Sequence, residues 1–158
     1  MHLLTLDNVI KNPNEYLEQI KNNEFRDIED AGENKFKNIQ FRNPDDEFAK
    51  YMLSAFPGYA VNWNFVRKSP LNQEEPNFIH TDEMMGDITC ILYLNKEKPN
   101  EDGTTIYDED KNPLFVLYSK FNRMIAFSSE SPHSRNILEN FGDEDSARLI
   151  QVIFLKQV

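Results

Sequence analysis

Residues Asn77–Asn95 read NFIHTDEMMGDITCILYLN, a short apolar approach (Phe78, Ile79), a His-x-Asp element and then an apolar run from Ile88 to Leu94. Side chains two residues apart on an extended strand share a face. An extended His80–Thr81–Asp82 therefore sets an imidazole beside a carboxylate. Two such groups supply two-thirds of a facial metal site. The chain has only two further histidines, His2 and His133. His2 stands at a terminus, whereas His133 follows another apolar run, Met124–Phe127. His80, Asp82 and His133 would complete a 2-His-1-carboxylate triad, a donor set that leaves positions open on non-haem Fe(II). The bland alternative is a surface turn and a loop histidine, and the surrounding chain has to decide between them.

Outward from that stretch the chain is strongly β. Tyr59–Val66 alternates large apolar residues with small or amide ones, and its continuation SPLNQEEP (Ser69–Pro76) carries two prolines that forbid a central strand. Strands are predicted at Thr104–Tyr107, Leu114–Tyr118, Asn122–Ser128 and over ARLIQVIFL (Ala147–Leu155). Loops are predicted at Lys96–Gly103, Asp108–Pro113, SESPHSRN (Ser129–Asn136) and ENFGDEDS (Glu139–Ser146). Towards the N-terminus, His2–Leu6 suits a short strand and Lys35–Arg42 another, with Asn22–Glu33 polar and irregular. EYLEQIKNN after Asn12–Pro13 predicts a helix burying Tyr16, Leu17 and Ile20. A second helix is predicted with Asn43 as cap and Pro44 in first position; Phe48, Tyr51, Met52 and Phe56 form its apolar stripe and Pro57–Gly58 its stop. The expected class is α+β, one domain over 1–158, with helical support over about 1–58 and a β core over about 59–158.

Charge narrows the partners. Seventeen basic residues against 27 acidic ones give a net charge of −10. Such a surface repels phosphate backbones and anionic lipid, so neither nucleic acid nor membrane is an expected partner. No apolar run reaches the roughly 18 residues a membrane span needs, and the first ten residues lack a signal-peptide pattern. The single cysteine, Cys90, sits inside the apolar strand as a buried thiol, which fits a reducing cytoplasm.

Four segments together resemble the 2-oxoglutarate and Fe(II)-dependent dioxygenases, nearest the prolyl-4-hydroxylase-like branch. His80–Thr81–Asp82 runs into a strand ending Ile91–Leu92–Tyr93–Leu94–Asn95, as in that family's HxD followed by "YLN". Asp102–Tyr107 is similar to its "GGT-x-F/Y" segment, with Asp102 in place of the first glycine. Phe121–Phe127 followed by Ser131–Pro132–His133 looks like the strand delivering the distal histidine, and Arg148 opens the last strand. The resemblance implies a double-stranded β-helix (jelly-roll, cupin-like) core. It implies Fe(II) held by His80, Asp82 and His133, with 2-oxoglutarate and O2 as cosubstrates. Arg148 is the expected partner of the distal carboxylate, because a guanidinium grips carboxylate bidentately. It lies fifteen residues after His133, farther than is usual in the family, with Gly142–Asp145 as an insertion. Arg135 and Arg123 are the alternatives.

The implied activity is hydroxylation of a C–H bond in a small molecule or protein side chain, releasing succinate and CO2. Asn62, Asn64 and Tyr93 either face the cosubstrate or serve turns and core, Trp63 is assigned to the core rather than to a substrate platform, and Met84–Met85 line an entrance or fill gaps. Two other readings are a cupin-like metalloprotein that does not use 2-oxoglutarate and a non-catalytic β-sandwich binding module. The first would call for a further histidine in the β region, and the second makes the triad an accident.

Overall fold

The computed structural model describes residues 3–29 and 35–158. In chain order the elements are β1 (Leu3–Leu6), α1 (Pro13–Lys21), β2 (Arg26–Glu29), β3 (Lys35–Phe41), α2 (Glu47–Ala55) and β4 (Tyr59–Ser69). Then follow β5 (Ile88–Tyr93), β6 (Gly103–Tyr107), β7 (Pro113–Tyr118), β8 (Arg123–Ser128), β9 (His133–Arg135) and β10 (Arg148–Gln157). Antiparallel pairing assembles a seven-stranded sheet, β1-β8-β5-β10-β4-β3-β2, and a three-stranded sheet, β7-β6-β9. The two sheets are the walls of the expected double-stranded β-helix.

Strand β5 shows why the opening stretch is central. Its neighbours are β8 and β10, and both of its faces are covered, which requires a continuous apolar run rather than alternation. Cys90 and Leu92 point into a core shared with the helices, among Ile20, Phe48, Met52, Val66, Met124, Ile153 and Leu155. Ile91 and Tyr93 point the other way, into a smaller core between the sheets with Ile106, Ile125 and Phe127. Burial alone holds the Cys90 thiol far above its ordinary pKa, as expected of an inert thiol. At Gly103 an added Cβ would stand 1.9 Å from the Leu117 carbonyl oxygen, so the close approach of β6 and β7 admits only glycine there.

Helix α1 buries Tyr16, Leu17 and Ile20 as expected, although the Asn12 side chain makes no capping bond. Helix α2 departs from expectation at its start. Asn43 and Pro44 precede it, and the cap is Asp46, whose Oδ1 accepts the Ala49 N–H at 2.9 Å. Asp46 is held for that task because its Oδ2 also takes Arg42 Nε at 3.0 Å and Gln151 Nε2 at 3.0 Å. Gly58, at φ +88°, ends the turn that follows.

Two further expectations need correction. The stretch expected to be irregular contains β2, an edge strand whose sequence RDIE carries one apolar residue and so no alternation. The loop expected at Ser129–Asn136 contains β9, only three residues long and mostly polar. Strands β1 and β3 lie where short strands were expected ahead of the β core, and with β2 they extend both edges of the large sheet. The His2 end of the first strand lies outside the described residues. Among those described, no helix is long and apolar enough to cross a membrane.

Gln151, fully buried on β10, ties the helices to the sheet. Its Nε2 donates to Asn64 Oδ1 at 2.8 Å as well as to Asp46, and its Oε1 accepts the Tyr16 hydroxyl at 2.6 Å. Gln151→Leu would leave Asn64 Oδ1 buried without its partner and the Tyr16 hydroxyl with only its bond to Asp46 Oδ2 at 3.1 Å. Its expected cost is about 2–3 kcal/mol, the range for unsatisfied buried polar groups, read as a lower midpoint in urea unfolding. A midpoint within error of the parent would show that water replaces these bonds.

Candidate metal centre and its surroundings

His80 and His133 lie in two segments that the backbone binds directly together. The His80 N–H donates to the His133 carbonyl at 3.0 Å, and the His133 N–H returns the bond at 2.9 Å. Asp82 follows on a turn, its N–H donating to the Ser129 carbonyl at 2.8 Å. The His-x-Asp element is therefore not a continuous strand. A β-bridge at His80 and a turn at Asp82 bring the side chains together. His133 Nε2 stands 3.0 Å from Asp82 Oδ2, and His80 Nε2 stands 3.5 Å from Asp82 Oδ1. The three donor atoms all lie within 4.8 Å of one another.

Local hydrogen bonds settle which nitrogens are available. His80 Nδ1 is 3.0 Å from the Phe78 carbonyl and His133 Nδ1 is 2.9 Å from the Ser131 carbonyl. A carbonyl only accepts, so both Nδ1 atoms carry the proton and both Nε2 lone pairs face Asp82. Metal-binding histidines are typically oriented in this way. The Thr89 hydroxyl reaches Asp82 Oδ2 at 3.3 Å, and the Phe127 ring packs edge-on to His133 at 4.8 Å between centroids. Two imidazoles with Nε2 turned toward a shared carboxylate, each braced from behind, fit a divalent first-row cation. His80 is half-buried and His133 buried, so the cluster opens to one side.

On β10, Arg148 shares the inter-sheet face with Ile150, Val152 and Phe154, at the end of the strand away from the triad, and its side chain is 4% exposed. Its Nε donates to Asp102 Oδ1 at 2.9 Å, and Asp102 Oδ2 accepts the Ser119 hydroxyl at 2.7 Å. The residue that replaces the first glycine of the resembled segment is thus a buried counter-ion. Tyr93 stands close by, its hydroxyl 2.6 Å from Thr104 Oγ1, and burial pushes the phenol up to about 12.

Arg123 belongs to the surface, where Nε and Nη2 grip both Asp7 oxygens at 2.6 and 3.1 Å. Arg135 faces inward from β9. Burial, with the charge of Arg148 nearby, lowers its guanidinium to about 10. Asn64 lies on the helix side of β4, bonded to Gln151 and to the Asn43 carbonyl, so it does not face the inter-sheet space. Trp63 is 44% exposed against Phe41 and is not a core residue. Met84 is exposed, and Asn62 holds the Met85 carbonyl at 2.7 Å.

Two charged residues escaped the sequence reading. Arg67, on the inter-sheet face of β4, has its Nη1 3.6 Å from Glu75 Oε1, in the loop that follows that strand. Burial and the charge of Arg148 lower the Arg67 guanidinium, with Glu75 and Asp82 acting against them. The alternation of Phe65 and Arg67 on one face was the available signal for Arg67. For Glu75, in a run of two glutamates, there was none.

No family model matches the chain, and no curated protein matches it in sequence. Solved structures do match it in shape. A 2OG-Fe(II) oxygenase family oxidoreductase from Burkholderia pseudomallei superposes with a TM-score of 0.67 at 11% identity, over 98% of this chain and 84% of the other. The chain has the fold of the 2-oxoglutarate/Fe(II) oxygenases. The same fold relates it to the non-heme alpha-ketoglutarate-dependent epimerase SnoN from nogalamycin biosynthesis, with a TM-score of 0.66 at 11% identity, covering 98% of this chain and 77% of that one. It also relates it to a prolyl hydroxylase from Trichoplax adhaerens, solved with a peptide fragment of the hypoxia-inducible-factor oxygen degradation domain. That match has a TM-score of 0.62 at 17% identity, covering 96% of this chain and 82% of that one. The oxygenase fold is therefore common to neighbours of differing chemistry, and the prolyl-hydroxylase branch is one among several.

Proposed function

We propose that this protein is a non-haem Fe(II) and 2-oxoglutarate-dependent dioxygenase that hydroxylates a C–H bond of a small molecule or protein side chain. The observation that carries this reading is the convergence of His80 Nε2, Asp82 Oδ and His133 Nε2 within 4.8 Å, with both Nδ1 protons committed to carbonyls. Neighbours of this fold whose names specify 2OG-Fe(II) or alpha-ketoglutarate dependence support the choice of cosubstrate. Iron at these ligands, with 2-oxoglutarate and O2, would supply the oxidation, with succinate and CO2 released.

The chain's own residues bind and orient. His80, Asp82 and His133 present three donors from one side and leave the other side for ligands. Arg148, at the far end of the inter-sheet space, would meet the distal carboxylate of 2-oxoglutarate. Asp102 fixes its Nε edge and so aims the remaining guanidinium nitrogens. Ile91, Ile125 and Phe127 between the sheets keep water from the space they line. Hydroxylation is preferred over a cupin-like reaction without an oxo-acid because a buried cation faces the same interior as the triad. The deciding experiment incubates the iron-loaded protein with 2-oxoglutarate and a metabolite mixture. Succinate release coupled to a product heavier by one oxygen is the expected result. Turnover that is independent of 2-oxoglutarate would reject this reading.

A further inference from the structure

Three arginines enter the interior beyond the triad, and their charges are unequally answered. Arg148 has Asp102 at 2.9 Å. Arg67 and Arg135 share a single carboxylate, Glu75, at 3.6 Å from Arg67 Nη1 and 3.7 Å from Arg135 Nη1. Both separations exceed hydrogen-bond length, and the short bond to Glu75 Oε2 comes from Asn140 Nδ2 at 2.7 Å. Meanwhile Arg135 Nε and Nη2 are buried and meet no acceptor among the described residues. Those two nitrogens form the guanidinium edge that grips a carboxylate with two parallel bonds. A buried cation with its best edge unused is costly unless a ligand completes it.

Among the described residues, Arg135 is the one cation lining a cleft of about 590 Å³, within the range of small-molecule sites, whose other charged residues are Glu74, Glu75 and Glu139. Between β4 and the His80 bridge the loop carrying Glu75 forms no strand or helix. Side-chain bonds hold it, among them Asn140 Nδ2 to the Gln73 carbonyl at 2.8 Å and Asn77 Nδ2 to the Ile137 carbonyl at 3.1 Å. Arg135 shares a strand face with His133 two residues away, a step of roughly 7 Å.

We infer that Arg67 and Arg135 bind a carboxylate of the primary substrate, a small organic acid, along the free Nε–Nη2 edge of Arg135, and that Glu75, which stands against Nη1 of both arginines, is the internal carboxylate it competes with and displaces. Exchanging one carboxylate for another leaves the local charge unchanged. The incoming group gains the Nε and Nη2 edge that Glu75 does not use. The inference rests on the proposed function in one respect, that the cosubstrate takes Arg148 and leaves these two arginines to the substrate.

Acetate, with acetamide as its uncharged match, is titrated into Zn(II)-loaded protein carrying bound 2-oxoglutarate, and the side-chain Nε–H resonances of Arg67 and Arg135 are followed by NMR. Acetate should shift the Arg135 resonance saturably and acetamide should not. Arg135→Gln should weaken acetate binding by about thirtyfold, the lower end for removing one partner of a buried charge pair, while 2-oxoglutarate affinity holds. Glu75→Gln should tighten acetate by about tenfold, since a competing like charge is removed. Equal responses to acetate and acetamide, or an unchanged Glu75→Gln variant, would overturn the site. Loss of 2-oxoglutarate binding in Arg135→Gln would also overturn it, by giving that arginine to the cosubstrate. Should 2-oxoglutarate fail to bind the unmutated protein, the proposed function fails separately, and the acetate titration on the Zn(II) form alone still decides this inference.

Discussion

His133→Ala is expected to abolish stoichiometric Fe(II) retention while leaving the fold in place. The side chain supplies one of three donor atoms, and no other histidine, aspartate or glutamate joins the cluster among the described residues. Substitutions that merely reorient a ligand cost about 10–100-fold in metal affinity, so removal of the ligand itself should cost more than about a hundredfold. The fold survives because the bridge to His80 is made by backbone groups, which alanine retains. Asp82→Ala should match this loss. Thr89→Val should fall between, at about tenfold, because the Asp82 carboxylate remains but loses the hydroxyl at 3.3 Å that orients it. Chelator competition under anaerobic conditions measures all three, with far-UV circular dichroism as the check on folding. Stoichiometric iron in His133→Ala would remove the triad from consideration, and with it the proposed chemistry.

The triad was legible because the chemistry had so few places to go. With three histidines in the chain, a His-x-Asp ahead of one apolar strand and a lone histidine after another leave a single facial set. The apolar run from Ile88 was equally legible, since burial on both faces writes itself as an unbroken stretch. What pattern could not reach was local geometry without periodicity. Strand β9 is three residues long and gains its pairing from β6. Strand β2 lies at a sheet edge, where a polar strand costs little.

The basic interior is a harder case. Arg67, Glu75, Arg135 and Arg148 come from β4, the loop after it, β9 and β10, separated by up to 81 residues (148 − 67), and no local spacing announces them. Asp102 was visible only as a departure from a resembled segment. The structure makes it the counter-ion of the arginine singled out for the cosubstrate. Trp63 was misassigned because alternation on β4 puts it on the same face as Phe65 and Arg67 but does not reveal that this end of the face is left open, with Trp63 44% exposed.

Arg148→Ala is expected to cost roughly 2–5 kcal/mol of 2-oxoglutarate affinity, the range for stripping one partner from a buried charge pair. The measurement is titration of 2-oxoglutarate into the anaerobic Fe(II) protein, followed through the visible band that chelation at the metal produces. The same substitution strands Asp102, at 2% side-chain exposure, as an uncompensated buried charge, which can unfold a protein on its own account. The variant that separates the two effects is Arg148→Met with Asp102→Asn, in which neither partner leaves a charge behind. If Arg148 meets the cosubstrate, the double variant folds and still loses the affinity. If the pair is purely structural, the double variant binds 2-oxoglutarate like the parent and the assignment of Arg148 is wrong. Asp102→Asn alone gives the opposite sign. Arg148 keeps its charge and loses its internal competitor, so 2-oxoglutarate should bind at least as tightly as in the parent, provided the asparagine keeps its oxygen toward Arg148 Nε and turns its NH2 to the Ser119 hydroxyl oxygen. A loss in Asp102→Asn as large as in the double variant would mean that aiming the guanidinium matters as much as its charge.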